Sequence, residues 1–252
     1  MKTLCKSFLL ATSMYSKLPT PKTEWSDRAM AYVFCFFPWI GLVIGGAELL
    51  WFAASDLLNL GSFLFAAVAV LIPIAITGGI HLDGFCDTCD ALGSHQSRER
   101  KLEILKDSHT GAFALLGICT YLILFTALWS EVLPVSALAL IPVLSRTLSG
   151  LCAMTMKNAR GSGLLASFSQ ASDLRCNRTV LVLWLAAVSV LLIFMDGTPV
   201  LIGAALSLIY YMHMSKKEFG GITGDLAGWF VQICELVCLA CVVLAQKGAA
   251  WL

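Results

Sequence analysis

The chain has 252 residues, of which 58% are hydrophobic and only 13% are charged, and its mean hydropathy is +0.83. Soluble globular proteins carry about 25% charged residues, so this chain lacks the polar side chains needed to cover a core of its size. Lipid requires no such cover, and the composition therefore predicts a membrane protein. The formal net charge of +1 gives no indication of a nucleic-acid partner.

The first 22 residues resemble a signal peptide only in a lysine near Met1 and a short apolar stretch. That stretch, Phe8 to Ala11, is too short for the apolar region of a signal peptide, and no clean cleavage site follows. We expect a retained amphipathic segment that leads into the first span.

Seven apolar stretches follow, each near the roughly 20 residues that cross about 30 Å of hydrocarbon. They cover residues 29–54, 62–80, 111–130, 134–156, 180–196, 199–214 and 226–246. No internal repeat or linker divides the chain. We therefore expect an all-α, polytopic transmembrane bundle of about seven spans, with residues 1–252 forming a single integral-membrane catalytic domain.

The basic residues support this map independently. Fifteen of the 17 Lys and Arg lie outside the spans in one alternating set of segments, and the exceptions are Arg146 and Lys247. That set consists of residues 1–28, 81–110, 157–179 and 215–225. Because excess Lys and Arg marks the cytoplasmic side, we expect a cytoplasmic N-terminus.

The densest polar cluster, Gly78 to Asp90, follows the second span. Its aspartates Asp83, Asp87 and Asp90 are spaced i, i+4, i+7, which places them on one helix face. Three adjacent carboxylates repel one another unless a cation lies between them, and oxygen ligands suit Mg²⁺ or, as the alternative, Mn²⁺. We expect a metal site, since ionisable groups at membrane depth are usually functional. A solvated helix end and the acidic vestibule of a transporter are the alternatives.

The same cluster contains a C-x-x-C formed by Cys86 and Cys89, with His81 and His95 nearby. A zinc or redox site is one interpretation. However, the pair lies partly off the aspartate face and no second cysteine pair follows. We expect these cysteines, like most of the ten, to pack as small hydrophobes without a disulfide framework.

Three further stretches supply candidate residues. Lys106, Asp107 and Ser108 precede the third span, where they would contact phosphate, or where Asp107 or Ser108 would be an ordinary N-cap. Arg146 lies within the fourth span, where a lone charge is costly, so we expect it to face the aspartates or a bound phosphate. Glycine-containing loops at 158–164 and 220–225, which allow close approach to a ligand, carry Arg160, Thr223 and Asp225.

These motifs, in this order, resemble the cobalamin synthase family, the adenosylcobinamide-GDP ribazoletransferases. The resemblance covers nearly the whole chain. It rests on the block from Gly78 to Asp90, the stretch from Arg98 to Gly111, Ser145-Arg146, Ala159-Arg160 with Gly163-Leu164 and Phe168, and residues 220–225 with Glu235. The chain departs from the family at Ala91, His109-Thr110, Leu165 and Gln232.

The resemblance implies transfer of the adenosylcobinamide-phosphate group from adenosylcobinamide-GDP to α-ribazole or its 5′-phosphate. The products would be adenosylcobalamin or its 5′-phosphate and GMP, with Mg²⁺ required. It implies small corrinoid and nucleoside substrates, surrounding membrane lipid, and the inner membrane of a prokaryote with the active site facing the cytoplasm. A homo-oligomer and association with other corrinoid-pathway enzymes stay open as partner expectations.

Together, the residues and the resemblance give one expected site. The catalytic residues are Asp83, Asp87, Asp90, Lys106 and Arg146; the substrate-binding residues are His81, Asp107, Ser108, Arg160, Thr223 and Asp225; the metal ligands are Asp83, Asp87, Asp90 and Glu235. The alternative function is a cation- or proton-coupled transporter, which would use the same acids but usually shows paired broken helices or an inverted repeat. A membrane scaffold would leave the buried charges without a reason.

Overall fold

The protein is described here by a computed structural model, which covers residues 2–160, 167–168 and 171–249. Within these residues the regular structure is helical, apart from one isolated parallel bridge between Asn158 and Ile222. The helices are α1 Lys2–Tyr15, α2 Asp27–Met30, α3 Phe37–Leu57, α4 Ser62–Thr77, α5 Ile80–Gly93, α6 Arg98–Ile104, α7 Ala112–Glu131, α8 Ile141–Thr155, α9 Leu174–Phe194, α10 Thr198–Met214 and α11 Gly224–Ala249. Short 3₁₀ turns precede α3 and α8, and a π turn, Ser215–Phe219, continues α10.

Six helical segments are long and apolar enough to cross a membrane, and the bent pair α4 and α5 makes a seventh if it is counted as one span. This confirms the predicted all-α bundle of about seven spans. The fifth and sixth spans are longer than predicted, at Leu174–Phe194 and Thr198–Phe219. The polar turn that begins α9 is helical because the Asp173 carboxylate accepts the amide of Cys176 at 3.0 Å, a helix cap that hydropathy cannot detect.

The second predicted span, residues 62–80, ends in a sharp bend. Helices α4 and α5 meet at 98°. Between them lie Gly78 and Gly79, whose φ angles of 66° and 80° belong to the left-handed region that glycine adopts at little cost. The three aspartates therefore lie on a separate helix that turns away from the direction of α4.

Helix α8 is the centre of the bundle. Every residue from Ile141 to Gly150 is buried, and α3, α9 and α11 pack around this helix. Peripheral helices instead expose large apolar side chains such as Leu116, Ile123 and Phe194. Such surfaces suit lipid, where apolar side chains need no polar cover.

The N-terminal segment is part of the bundle. Leu10 and Ala11 of α1 are fully buried, and α1 packs against the start of α3. After α1, the amide of Lys17 donates to the carbonyl of Ile76 at 2.7 Å, which ties this segment to the end of α4 beside the Gly78-Gly79 break.

Candidate functional site

The described residues enclose a cavity of about 210 Å³ where the beginnings of α5 and α11 meet the end of α8. The lining side chains form two chemical sets, which we call the polar end and the aromatic end of the cavity. The polar lining consists of His81, Asp83, Ser149, Asn158, Arg160, Thr223 and Asp225, and the aromatic lining consists of Tyr15, Phe34, Phe37 and Phe168. The structure thus brings five of the predicted site residues together at one cavity.

Close packing of α5 against α11 assembles the acids. A Cβ at position 84 would lie only 2.7 Å from the carbonyl oxygen and 2.8 Å from the Cα of Asp225, so Gly84 lets the two helices touch. Asp87, one turn beyond Asp83, lies within electrostatic reach of Asp225, Asp83 and Asp90. We call Asp83, Asp87 and Asp225 the acidic trio.

We expect Gly84→Ala to lower transferase activity, because the added methyl must push the start of α11 and Asp225 away from α5. The matched control is Gly46→Ala, whose Cβ would meet nothing within 4 Å and which should stabilise α3 by about 1 kcal/mol. Activity and thermal unfolding of both variants in detergent provide the check. Full activity of Gly84→Ala would mean that the helix contact does not position the acids.

Arg160 is the positively charged side chain among the described residues that line the cavity. Its Nη1 lies 3.2 Å from Oδ2 of Asp225, and its side chain is only 15% exposed. The loop that carries it is held by two backbone hydrogen bonds, from Ala159 to the carbonyl of Ile222 at 2.8 Å and from Ile222 to the carbonyl of Lys157 at 2.9 Å. The predicted glycine loop continues at Gly161–Leu164, which lies outside the described residues.

Thr223 lines the cavity and also begins α11. Its hydroxyl accepts the amide of Leu226 at 3.3 Å and donates to Oδ2 of Asp225 at 3.4 Å. This predicted substrate-binding residue therefore also orients an acid of the trio.

His81 lines the cavity. The residue is 5% exposed, and within the described part of the chain neither ring nitrogen has a hydrogen-bond partner. Its ring lies nearly parallel to that of Tyr15, at 13° and 6.3 Å between centroids. His81 therefore belongs to the polar lining and also contacts the aromatic residues Tyr15 and Phe37.

Asp90 has a different role from the one expected. Its carboxylate accepts the amide of Gly111 at 2.6 Å and the amide of Ala114 at 2.8 Å. Both oxygens thus cap the beginning of α7, where the helix dipole favours negative charge. The sequence placed Asp90 on the aspartate face, but residue spacing does not indicate that α7 begins beside it.

Asp90→Asn should destabilise the protein by roughly 0.5–2 kcal/mol, because an amide can accept with only one of its two terminal atoms. Thermal unfolding in detergent measures the loss of stability. The control is Asp107→Asn, at an exposed aspartate in the loop before α7. Unchanged unfolding together with weakened Mg²⁺ binding would instead return Asp90 to the set of metal ligands.

Arg146 was expected to face the aspartates or a bound phosphate, but its side chain is paired inside the bundle instead. Arg146 and Glu235 are both buried inside the bundle, where Nη1 of Arg146 donates to Oε1 of Glu235 at 2.6 Å. Ser145 donates to the same oxygen at 2.8 Å. Glu235 therefore does not join the acidic trio either, because it neutralises the arginine on the facing helix.

The loop before α7 does not reach the cavity. Lys106, Asp107 and Ser108 are all exposed and do not line it. Asp107 accepts from the backbone amide of His109 at 3.0 Å and contacts its Nδ1 at 2.6 Å, and the side-chain hydrogen bond lowers the pKa of Asp107. Neither Asp107 nor Ser108 caps α7, since Asp90 does so.

The cysteines in the aspartate cluster are free. Cys89 packs against α7, because a Cβ added at Gly117 of that helix would lie only 2.7 Å from the Sγ of Cys89. Among the described residues, no three His, Cys, Asp or Glu side chains are grouped so that they alone could hold a metal ion. These observations favour packing over a zinc site.

The donors that are present nevertheless fit Mg²⁺. This ion is usually bound by one or two carboxylates together with substrate phosphates and water, not by a complete protein cage. Asp83 and Asp225 line the cavity and Asp87 lies beside them, so hard oxygen donors face the space that a phosphate would enter.

Sequence reasoning missed Tyr15, Phe34 and Phe37. They lie in the N-terminal segment and at the start of the first span, where aromatic residues are ordinary. Only the packing of α1 against the start of α3 brings them to the cavity, and no local pattern indicates it.

The fold and the site define a multi-pass helical membrane protein with a cavity that combines clustered carboxylates, an arginine and an aromatic wall. A family model described as cobalamin-5-phosphate synthase matches residues 7–243. The chain belongs to that family.

Several curated proteins match nearly the full length of the chain. An adenosylcobinamide-GDP ribazoletransferase from Lachnoclostridium phytofermentans is 43% identical over 95% of this chain and 94% of its own length. Proteins of the same name from Clostridium perfringens and Geobacillus thermodenitrificans are 35% and 30% identical, covering 93% and 99% of this chain and 96% and 99% of their own lengths. No solved structure matches the chain.

Proposed function

We propose that this chain is an adenosylcobinamide-GDP ribazoletransferase. It transfers the adenosylcobinamide-phosphate group to the 3′-hydroxyl of α-ribazole or its 5′-phosphate and releases GMP. The observation that carries the proposal is the cavity in which Asp83, Asp225 and Arg160 meet. Family membership supports the same reaction.

The chemistry is phosphoryl-type transfer, which depends on positioning and on stabilising negative charge. Arg160 contacts the phosphate oxygens, for which a guanidinium is well suited, and its present partner Asp225 holds it at the cavity. The acidic trio would hold Mg²⁺, which would supply positive charge to neutralise the diphosphate and the departing GMP oxygen.

The attacking hydroxyl must lose a proton. His81 accepts it in this proposal, because the side chain lines the cavity and its ring nitrogens have no other partner in the part of the chain that is described. Thr223 supports the site indirectly by orienting Asp225.

The site faces the cytoplasm in this proposal, and the membrane is the inner membrane of a prokaryote. The loops at the cavity end of the bundle include the basic segments 157–160 and 215–217. Excess Lys and Arg marks the cytoplasmic side.

A transporter gains no support. The cavity lies at one end of the bundle, beside the loops, and the family is described as a synthase and its named relatives as transferases. The broken pair α4 and α5 is the single bent pair found among the described residues, whereas transporters usually break helices in pairs.

The direct test is GMP release from membranes that contain the chain, supplied with adenosylcobinamide-GDP, α-ribazole and Mg²⁺. We expect GMP and a cobalamin product in equal amounts, and neither in membranes that lack the chain. Inverted vesicles should react with added substrates, whereas sealed right-side-out vesicles should not. Absence of GMP release from well-inserted protein would contradict the proposed reaction.

A further inference from the structure

We propose that the aromatic end of the cavity binds the planar base of the nucleoside acceptor. This inference rests on the proposed function and names the substrate part that the cavity holds. The corrinoid donor then presents only its diphosphate arm to the polar end.

The aromatic end is built from three separate parts of the chain. Tyr15 comes from the end of α1, Phe34 and Phe37 from the start of the first span, and Phe168 from the segment before α9. Tyr15 and Phe37 lie 4.3 Å apart between ring centroids, and Phe34 and Phe168 lie 6.3 Å apart. Aromatic side chains gathered in this way form stacking surfaces for a planar base.

The size of the cavity selects the base over the corrinoid. Its volume of about 210 Å³ is below the roughly 300–1,000 Å³ of pockets that enclose a drug-sized ligand. A bicyclic base is of suitable size, whereas a corrin macrocycle with its peripheral amide groups is far too large to enter.

The chemistry of the wall distinguishes the acceptor base from the guanine of the donor. Guanine carries several hydrogen-bonding groups on its edges, and burying them unpaired is unfavourable. Met14, Ile80, Ala153 and Ala227 add apolar side chains to the lining, and the aromatic residues that line it carry no charge. A benzimidazole base has one free ring nitrogen and fits such a wall.

The position of His81 gives the bound nucleoside a direction. Its ring lies beside those of Tyr15 and Phe37, and His81 and Asp83 both line the cavity. A base held against Tyr15 and Phe37 therefore directs its ribose toward His81 and the acidic trio, where the hydroxyl must react.

The test measures binding of α-ribazole to the purified, detergent-solubilised chain without donor, by equilibrium dialysis. Tyr15→Leu removes a stacking surface, and Ala153→Leu fills the cavity from α8. We expect the Kd for α-ribazole and its KM in turnover to rise about tenfold in both variants, with the KM for the donor unchanged. Tyr210→Leu, at a half-exposed tyrosine that does not line the cavity, is the matched control and should leave all three constants unchanged.

The outcomes separate this inference from the proposed function. Normal α-ribazole binding by both variants overturns the acceptor subsite, and a rise confined to the donor KM assigns the aromatic end to guanine. If the wild type binds α-ribazole through Tyr15 but releases no GMP, the proposed reaction fails and the subsite stands. Size-exclusion profiles and unfolding temperatures exclude misfolding as the cause of any loss.

Discussion

Asp83→Asn should reduce the rate of GMP release by roughly 10²- to 10³-fold or more, while the amount of inserted protein stays unchanged. The substitution keeps the size of the side chain and removes a negative charge from the cavity. No hydrogen bond or ion pair of the Asp83 side chain is found within the described residues, so the fold does not depend on it. The measurement is GMP release per quantity of membrane-inserted protein.

The matched control for this prediction is Asp56→Asn, at an exposed carboxylate near the end of α3, away from the cavity lining. It should retain wild-type activity. Normal turnover by Asp83→Asn would remove Asp83 from the proposed metal site and would leave Asp225 and Asp87 as the acids to examine.

Arg146→Met should destabilise the protein by about 3–5 kcal/mol, because it leaves Glu235 buried without its cation. The effect is enlarged by Glu48, a second buried carboxylate that lines the same interior space as Glu235. Unfolding in detergent measures the loss. The double variant Arg146→Met with Glu235→Leu should recover much of the stability, since no unpaired charge is left at that pair.

An exposed ion pair provides the comparison for Arg146. Arg100 pairs with Glu103 at 2.7 Å, with both side chains more than half exposed, so Arg100→Met should change stability by less than about 1 kcal/mol. Wild-type stability of Arg146→Met with lost activity would contradict the structural role and favour contact with the substrate.

Patterns along the chain predicted the class of fold and five of the residues that line the cavity. Hydropathy and the alternation of Lys and Arg gave the number of spans, because both reflect the thickness and sidedness of a bilayer. The spacing of Asp83 and Asp87 placed both on one helix face, and the glycine loops placed Arg160 and Asp225 near a ligand. These features depend on local geometry, which sequence spacing records.

Features that depend on which helices meet were not predictable from spacing. Asp90 lies on the same face as Asp83, but the beginning of α7 packs beside it. The Asp90 carboxylate therefore accepts the first amides of α7 as a helix cap. A buried Arg146 requires a negatively charged partner, and both the aspartate cluster and Glu235 were candidates from the sequence. Only the packing of α8 against α11 decides between them.

The bend at Gly78-Gly79 was also hidden, because one apolar run followed by a polar helix is consistent with a straight span that ends at the surface. Two successive residues with positive φ turn α5 through 98° and place it against α11. This turn is what adds Asp225 to the acids of α5.

The central claim is that the acidic trio holds a divalent ion against the diphosphate of the donor. Electron paramagnetic resonance of Mn²⁺, added to the purified protein with adenosylcobinamide-GDP, tests it without turnover. We expect bound Mn²⁺ with a resolved coupling to phosphorus, and loss of that signal in Asp83→Asn and Asp225→Asn but not in Asp56→Asn. Unchanged binding and coupling in both trio variants would contradict the account.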